Sequence, residues 1–330
     1  MEDGAVGEKA GGIKKRFTVA APILFLLLTA FYRPAQAYGL QVSYQYNLAD
    51  FSGTIPFSYG AKLAIDKDRG EVYVTDPLRG GVTIFNTTGM KVYRFGDASD
   101  LGYIEDVAVD KKGHIYTLSY NGSRDRFFIG FCDYRGDLLS RIEVSGLPAG
   151  FSHFRPSRIF YIKGGIIYLA DDSQMLVAVV DHTGKCIRTY QLYKVLNFTP
   201  KMVMDDNGAF GFAVDSDGDI FLTIPTLFRA YRITPDGKAV SFGRGGSGPG
   251  RFGVAAGIAV DGNGFIYVTD RLRCCVLVFD KDLNFRTEFG YRGYGPGSLI
   301  VPSDVVTGPG GRIYVSQAGN RGVSVFSAVY

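Results

Sequence analysis

The chain has 330 residues, 46% of them hydrophobic and 21% charged, with 44 glycines and no tryptophan. This composition excludes disorder, and the glycines point to many tight turns. Net charge is +4; residues 1–37 hold five Lys/Arg and three Asp/Glu, so the remainder is 31 minus 29, or +2, and gives no case for nucleic acid or an anionic membrane as an obligatory partner.

In chain order the first feature is an export signal. Lys14, Lys15 and Arg16 form a basic step before the apolar run Phe17 to Tyr32, which is 16 residues long. Arg33 and Pro34 break the run, and Ala35-Gln36-Ala37 supplies the small-x-small pattern of a cleavage site. The alternative, an uncleaved membrane anchor, has a run shorter than the ~18 residues of a stable span. No cysteine follows the run to carry a lipid. The expectation is a signal peptide over 1–37 and one domain over 38–330, periplasmic or secreted.

Leu40, Val42, Tyr44, Tyr46 and Leu48 then alternate with polar or small residues, as a strand does. After it, six segments share one core: a glycine, two residues, an aromatic, then an aliphatic or Thr. The aromatics are Tyr73, Tyr116, Tyr168, Phe221, Tyr267 and Tyr314, spaced 43, 52, 53, 46 and 47 apart. Three residues before them stand Gly70, Gly113, Gly165, Gly218, Gly264 and Gly311. Upstream lie short apolar runs ending in Asp, such as Leu63-Ala64-Ile65-Asp66, and Asp with Gly makes the turn into the next strand. Twelve residues past the aromatic come Phe85, Val180, Ile233, Phe279 and Phe326; the second unit has about three extra residues and places Phe131 there. A fourth strand follows, as in Lys91–Phe95. Four short strands per unit of ~40–50 residues predict an all-β, six-bladed β-propeller. The sixth unit lacks its fourth strand, so the N-terminal strand is expected to complete it and close the ring.

The run Gly264-Phe265-Ile266-Tyr267-Val268-Thr269-Asp270, with Arg273 to Asp280 and the connectors Phe242–Phe252 and Gly293–Gly297, resembles an NHL repeat. The resemblance covers residues 40–330 and is strongest in units one, five and six. Where the family has Asn-His-Arg before the third strand, unit five has Arg-Cys-Cys, and unit six keeps Asn320-Arg321. It implies a TolB-like propeller frame; tasks in the family are diverse.

Candidate chemistry is sparse. Gly243, Gly245 and Gly248 fit a dinucleotide fingerprint, but Pro249-Gly250 and a following strand forbid the helix it needs. Asp215, Asp217 and Asp219 lack the closing Glu and helices of an EF-hand and sit where each blade has its first turn. Cys132, Cys186, Cys274 and Cys275 match no haem motif; the adjacent pair reads as strand packing, with a vicinal disulfide as the alternative. Lyase and lactonase propellers hold a metal in the central channel, whereas His114 and His182 fall on one rim here and His153 on the other. No catalytic residue, metal or cofactor is expected.

The remaining candidate is a rim. Blade connectors and the loops between strands two and three share one rim of a propeller. That rim collects Arg79, Arg126, Arg155, Arg273, Arg321, Tyr103 and Tyr294, while the opposite turns carry Lys67, Lys111, Lys163 and Lys281. Arginine and aromatics are enriched in recognition surfaces. The plainer alternative is ordinary rim ion pairing with Asp76, Asp125, Asp172 and Asp270. The expected function is a monomeric, non-catalytic binding or scaffold module for a protein or polysaccharide, with no nucleic acid; the alternative is a hydrolase or lyase using the channel. Intact mass of the exported protein should show Tyr38 as its first residue. Retention of residues 1–37 would make it a membrane-anchored propeller instead.

Overall fold

The computed structural model describes residues 39–49, 60–76, 80–96, 99–199, 208–318 and 321–330. The expected signal peptide, Arg79 and Asn320 lie outside them. Residues 40–330 form one compact unit, and among the described residues no helix is long and apolar enough to cross a membrane.

The first strand is β1 (Gln41–Asn47). Blade one is β2 (Lys62–Asp66), β3 (Glu71–Thr75), β4 (Val82–Phe85) and β5 (Lys91–Phe95). Blade two is β6 (Tyr103–Val109), β7 (Ile115–Tyr120), β8 (Phe127–Cys132) and β9 (Leu138–Ile142). Blade three is β10 (Arg158–Ile162), β11 (Ile166–Asp171), β12 (Leu176–Val180) and β13 (Cys186–Gln191). Blade four is β14 (Phe212–Val214), β15 (Ile220–Ile224), β16 (Arg229–Ile233) and β17 (Ala239–Phe242). Blade five is β18 (Ala255–Val260), β19 (Ile266–Asp270), β20 (Cys275–Phe279) and β21 (Phe285–Gly290). Blade six is β22 (Asp304–Thr307), β23 (Arg312–Ser316) and β24 (Val323–Val329), with β1 as its fourth strand. All pairings are antiparallel, and the innermost strands stand side by side from β2 round to β22 and back to β2. The chain is a six-bladed β-propeller.

The repeat has a physical explanation at each position. The glycine three residues before the aromatic sits in the first turn with positive φ in all six blades, from 70° at Gly70 to 86° at Gly113 and Gly218, a conformation that costs other residues strain. Asp at the end of the first strand caps that turn: Asp66 Oδ1 accepts the amides of Asp68 and Arg69, each at 2.9 Å. Each aromatic is buried against the next blade. Tyr73 packs with Ile104 and Val107, Tyr116 with Ile159, Tyr168 with Phe212, Phe221 with Ile258, Tyr267 with Val305, and Tyr314 with Leu63. The core is therefore six wedges between blades.

Blade two corrects one position. In other blades the apolar residue after the second turn pairs with the residue before the aromatic, as Phe85 does with Val72. Tyr116 pairs with Phe131, and Ile115 with Cys132. The buried Cys132, not Phe131, is the equivalent; it lies 16 residues past the aromatic, where the other blades have 12, because the Asn121–Arg126 loop is longer.

Ring closure takes the expected form with one difference. Gln41 pairs with Val329 and Tyr44 with Phe326, but a bulge at Gln45 shifts the register so that Tyr46 pairs with Val325. A bulge flips the following side chains to the other face. Leu40, Val42 and Tyr44 consequently pack between blades five and six, whereas Tyr46 and Leu48 pack between blades six and one. Beyond the bulge, Ala49 bridges Met90 of blade one, and the Tyr46 hydroxyl donates to Thr87 O at 3.0 Å. Deleting Leu40–Leu48 should lower the melting midpoint by on the order of ten degrees, since ~1 kcal/mol moves it a few degrees and an uncovered blade loses several. A midpoint within about one degree of the parent would show that the seam is not what holds the ring.

Candidate functional site

Polar side chains gather at the mouth of the central channel and on the rim bearing the blade connectors, here the upper rim.

The channel mouth is built from one register position. The residue two before the aromatic's pairing partner on each innermost strand is Lys62, Asp106, Arg158, Gly211, Gly257 and Asp304 in turn; the partners are Ala64, Ala108, Phe160, Ala213, Ala259 and Val306. Arg158 of blade three donates from Nε to Asp106 Oδ2 of blade two at 2.9 Å and from Nη1 to Asp304 Oδ2 of blade six, opposite in the ring, at 3.1 Å. Asp304 Oδ2 also accepts the Leu63 amide of blade one at 3.0 Å. Nearer the upper rim, Lys62 pairs with Glu105 and donates to Ser157 O at 2.8 Å. At the two glycines the strands approach so closely that a Cβ at Gly257 would lie 2.6 Å from Asp304 Cα, and one at Gly211 would lie 2.1 Å from Ala256 O. Four charges thus fill the channel at this level while glycines draw blades four to six together. Beneath lies a cavity of about 140 Å³, lined by Ala64, Val107, Phe160, Ala213, Val260 and Val306 with Arg158.

Burial pushes the Asp106 carboxyl above its ordinary value, against the pull of Arg158 and then Lys62. Asp172, at the mouth, is also pushed up by burial, with Lys62 and a Ser157 hydrogen bond acting in the other direction. Among the described residues no group of three or more His, Cys, Asp or Glu is arranged to hold a metal.

The upper rim holds the described members of the expected binding set in three local groups. Arg124 lies 3.6 Å from the centre of the Tyr103 ring, and Arg155 donates to Arg124 O. Arg273 is mostly buried, donating to Glu288 at 2.6 Å and to Arg251 O at 2.8 Å. Arg321 donates to Tyr294 O at 2.7 Å and Gly295 O at 3.3 Å, and the Tyr294 residue is 85% exposed. Arg126 is exposed beside Asp125, whose carboxyl is held low by Ser123 and Asn121 first and by Arg126 less.

Ion pairing with Asp270 does not account for these arginines: its oxygens accept the amides of Gly253, Val254, Leu272 and Arg273. Nor are the opposite turns a lysine preserve, because Arg69 and Arg135 sit in them. There, Asp215 Oδ1 accepts the amides of Asp217 and Asp219, and Asp219 pairs with Arg232. His114 meets Asp110 in a lower turn, His182 lies in another, and His153 belongs to an upper connector. The Gly243–Gly250 segment is a hook: Gly245 bridges the buried Phe252, and strand β18 follows. All four cysteines are free. Cys274 lies in a turn at φ 56°, not on a strand, and burial pushes Cys275 up to about 12.

The charged layer escaped the sequence reading, yet it stands 11 residues before the aromatic in blade one and ten before it in the others. Aligning the units on their aromatics exposes it.

Compared with family models and with curated proteins, the chain matches none. Solved structures are similar in fold. A protein of unknown function from Bacteroides thetaiotaomicron superposes with a TM-score of 0.63 at 14% identity, over 88% of this chain and 76% of that one. A streptogramin B lyase gives 0.56 at 14%, over 88% and 98%. A gluconolactonase from Xanthomonas campestris gives 0.56 at 14%, over 88% and 90%. All are similar in fold alone.

Replacing Arg158 by Leu leaves Asp106 and Asp304 buried without their cation. Such a loss costs about 3–5 kcal/mol, so the melting midpoint should fall by on the order of ten degrees at pH 8. With its folded pKa above the unfolded one, Asp106 binds more protons when folded, so stability is regained as pH falls towards the unfolded value. The deficit should therefore shrink between pH 8 and pH 5. A deficit that does not change with pH would show that Asp106 is solvated.

Proposed function

We propose that this chain is an exported NHL-repeat propeller that works, as a monomer, as a non-catalytic binding module for a protein or polysaccharide of the envelope or the extracellular space. The hooked connectors and the six-fold Gly-x-x-aromatic core favour the NHL assignment. One observation carries the functional reading. The channel carboxylates Asp106 and Asp304 are both taken by Arg158, and Glu105 by Lys62. The upper rim, by contrast, offers cations and rings to solvent. Recognition surfaces favour that pairing because a guanidinium both stacks and makes two-point hydrogen bonds.

A second reading, a hydrolase or lyase working at the channel mouth, draws on Asp172. A carboxyl raised by burial beside a lysine is the kind of group catalysis uses, and the lyase and gluconolactonase names among the fold neighbours point the same way. Turnover of a lactone or ester that is lost in Asp172→Asn would establish it.

Capture of an envelope component by the immobilised protein tests the first reading. Joint replacement of Arg126, Arg155 and Arg321 by Gln should abolish capture with an unchanged melting midpoint, and replacement of Lys67, Lys111 and Lys163 should leave it intact. Loss with the lysine set would place binding on the opposite face.

A further inference from the structure

The channel beneath the Arg158 layer is apolar along its length and capped at its upper end. Residues two apart on a strand share a face. Two below the charged register position stand Ala64, Ala108, Ala213 and Ala259, with Phe160 and Val306 in blades three and six. Four methyl groups out of six leave the axis open, and they line the cavity of about 140 Å³. Ile65, Val109, Tyr161, Val214 and Val260, the next residues along, border it too. They are only partly buried although they belong to the innermost strands. Upwards the cavity ends at Arg158, which pairs with Asp106 and with Asp304 across the ring. Downwards it runs into a second space of about 240 Å³, with which it shares Ile65, Val109, Tyr161 and Val214. An unfilled apolar space of this size is dry and takes apolar guests.

The tunnel turns polar only at its lower mouth. Lys67, Lys111 and Lys163 stand in the first turns of blades one, two and three, and all three line this mouth. They are exposed, and the ion pairs of this rim, such as Arg69 with Asp66, take none of them among the described residues. Four acids share the lining. Asp66 is bound by Arg69 at 2.9 Å and Asp110 meets the His114 ring at 3.0 Å, while Asp215 Oδ1 accepts two main-chain amides. Asp68 alone of the four is exposed, against three lysines. Asp217, at the tip of the blade-four turn, and Lys112, beside Lys111, lie outside the lining.

We infer that this tunnel is a binding site for a single-tailed anionic amphiphile, a medium-chain fatty acid, with its tail along the axis and its carboxylate at Lys67, Lys111 and Lys163. The site lies on the face opposite the upper rim and is independent of what that rim captures. From Leu63 to Lys67 the wall descends about 13 Å at the rise of a strand, the length of an alkyl tail of on the order of ten carbons. Ligand sites combine apolar walls with a few placed polar groups. Here the two stand at different levels, as an amphiphile requires. Turn lysines alone would make an ordinary solvated face; the apolar tunnel ending among them separates tail from head. A cavity of about 140 Å³ has room for one tail and not two, which favours a free fatty acid over a membrane phospholipid.

The probe is a series of linear fatty acids, hexanoate to dodecanoate, titrated into the purified protein by calorimetry beside decanol and vesicles of phosphatidylglycerol. One-to-one binding is expected, tightening about fourfold per added methylene until the tail meets the Arg158 layer and levelling off thereafter. Joint replacement of Lys67, Lys111 and Lys163 by Gln should weaken decanoate about tenfold or more and leave decanol unchanged. Ala64→Leu, which puts a larger side chain into the tunnel, should abolish binding of both. If Ala64→Leu melts early, the lysine variant, altered only in exposed turns, still decides. Affinity that keeps rising with chain length, or equal binding to the vesicles, would overturn the inference, since a surface would then be collecting lipid. No binding of any acid, or decanoate binding unchanged in the lysine variant, would overturn it too and leave the upper-rim reading untouched.

Discussion

Each blade of this ring is a four-stranded sheet whose apolar face is covered by its neighbour and by nothing else. The six repeat aromatics express that dependence directly, each leaving its own blade to fill a wedge against the next. A closed cycle of such wedges has no stable open form, because opening it bares two faces and an unpaired edge. The seam between β24 and β1 therefore conditions everything else. Its bulge at Gln45 is economical: one strand contributes Tyr44 to the wedge before the seam and Tyr46 with Leu48 to the wedge after it.

The second constraint lies at the axis. Six strands converge there, and the register position that faces inwards is filled by two cations, two anions and two glycines. Buried ion networks add little net stability over an apolar filling, but removing one member is costly. Their value here is placement. Arg158 reaches the opposite blade, and Lys62 passes blade two to reach Ser157 of blade three, so blades one, two, three and six are tied through side chains. Blades four to six are tied through main-chain acceptors, with Gly257 N donating to Ser303 O at 2.9 Å and the Thr223 hydroxyl to Ala256 O at 2.6 Å. The two halves of the ring therefore differ in character at the axis.

The frame was legible in the sequence because its constraints are local. A turn that needs positive φ demands glycine at Gly70 and its five counterparts, and a wedge that needs a ring demands an aromatic three residues on. The closing strand was legible by elimination, since the last unit lacked one. Its bulge was not: strict alternation from Leu40 to Leu48 describes one face, and only the partner strand shows where the face changes. Cys132 was missed in favour of Phe131 because an extended loop hides register, which pairing alone fixes. At the site, the rim arginines were legible as a population but not their state. Arg273 and Arg321 stand in similar sequence surroundings, yet one is sunk against Glu288 and the other is held by main-chain carbonyls. The charged layer at the axis depends on six distant residues meeting, and its members look like ordinary strand termini when read one at a time.

The pairing of Gln41 with Val329 also sets an order of events in time. β1 is the first strand of the ring to be synthesised and β24 the last, so the wedges on either side of the seam stay incomplete until translation has passed both. Each four-stranded meander can form early from near-neighbour contacts, whereas the seam is one long-range step added at the end. Joining ends so far apart costs only logarithmically more than joining near ones, so the delay is one of waiting and not of searching. Throughout its synthesis the ring is an open arc of half-covered blades, and its cooperativity arrives when the two ends meet.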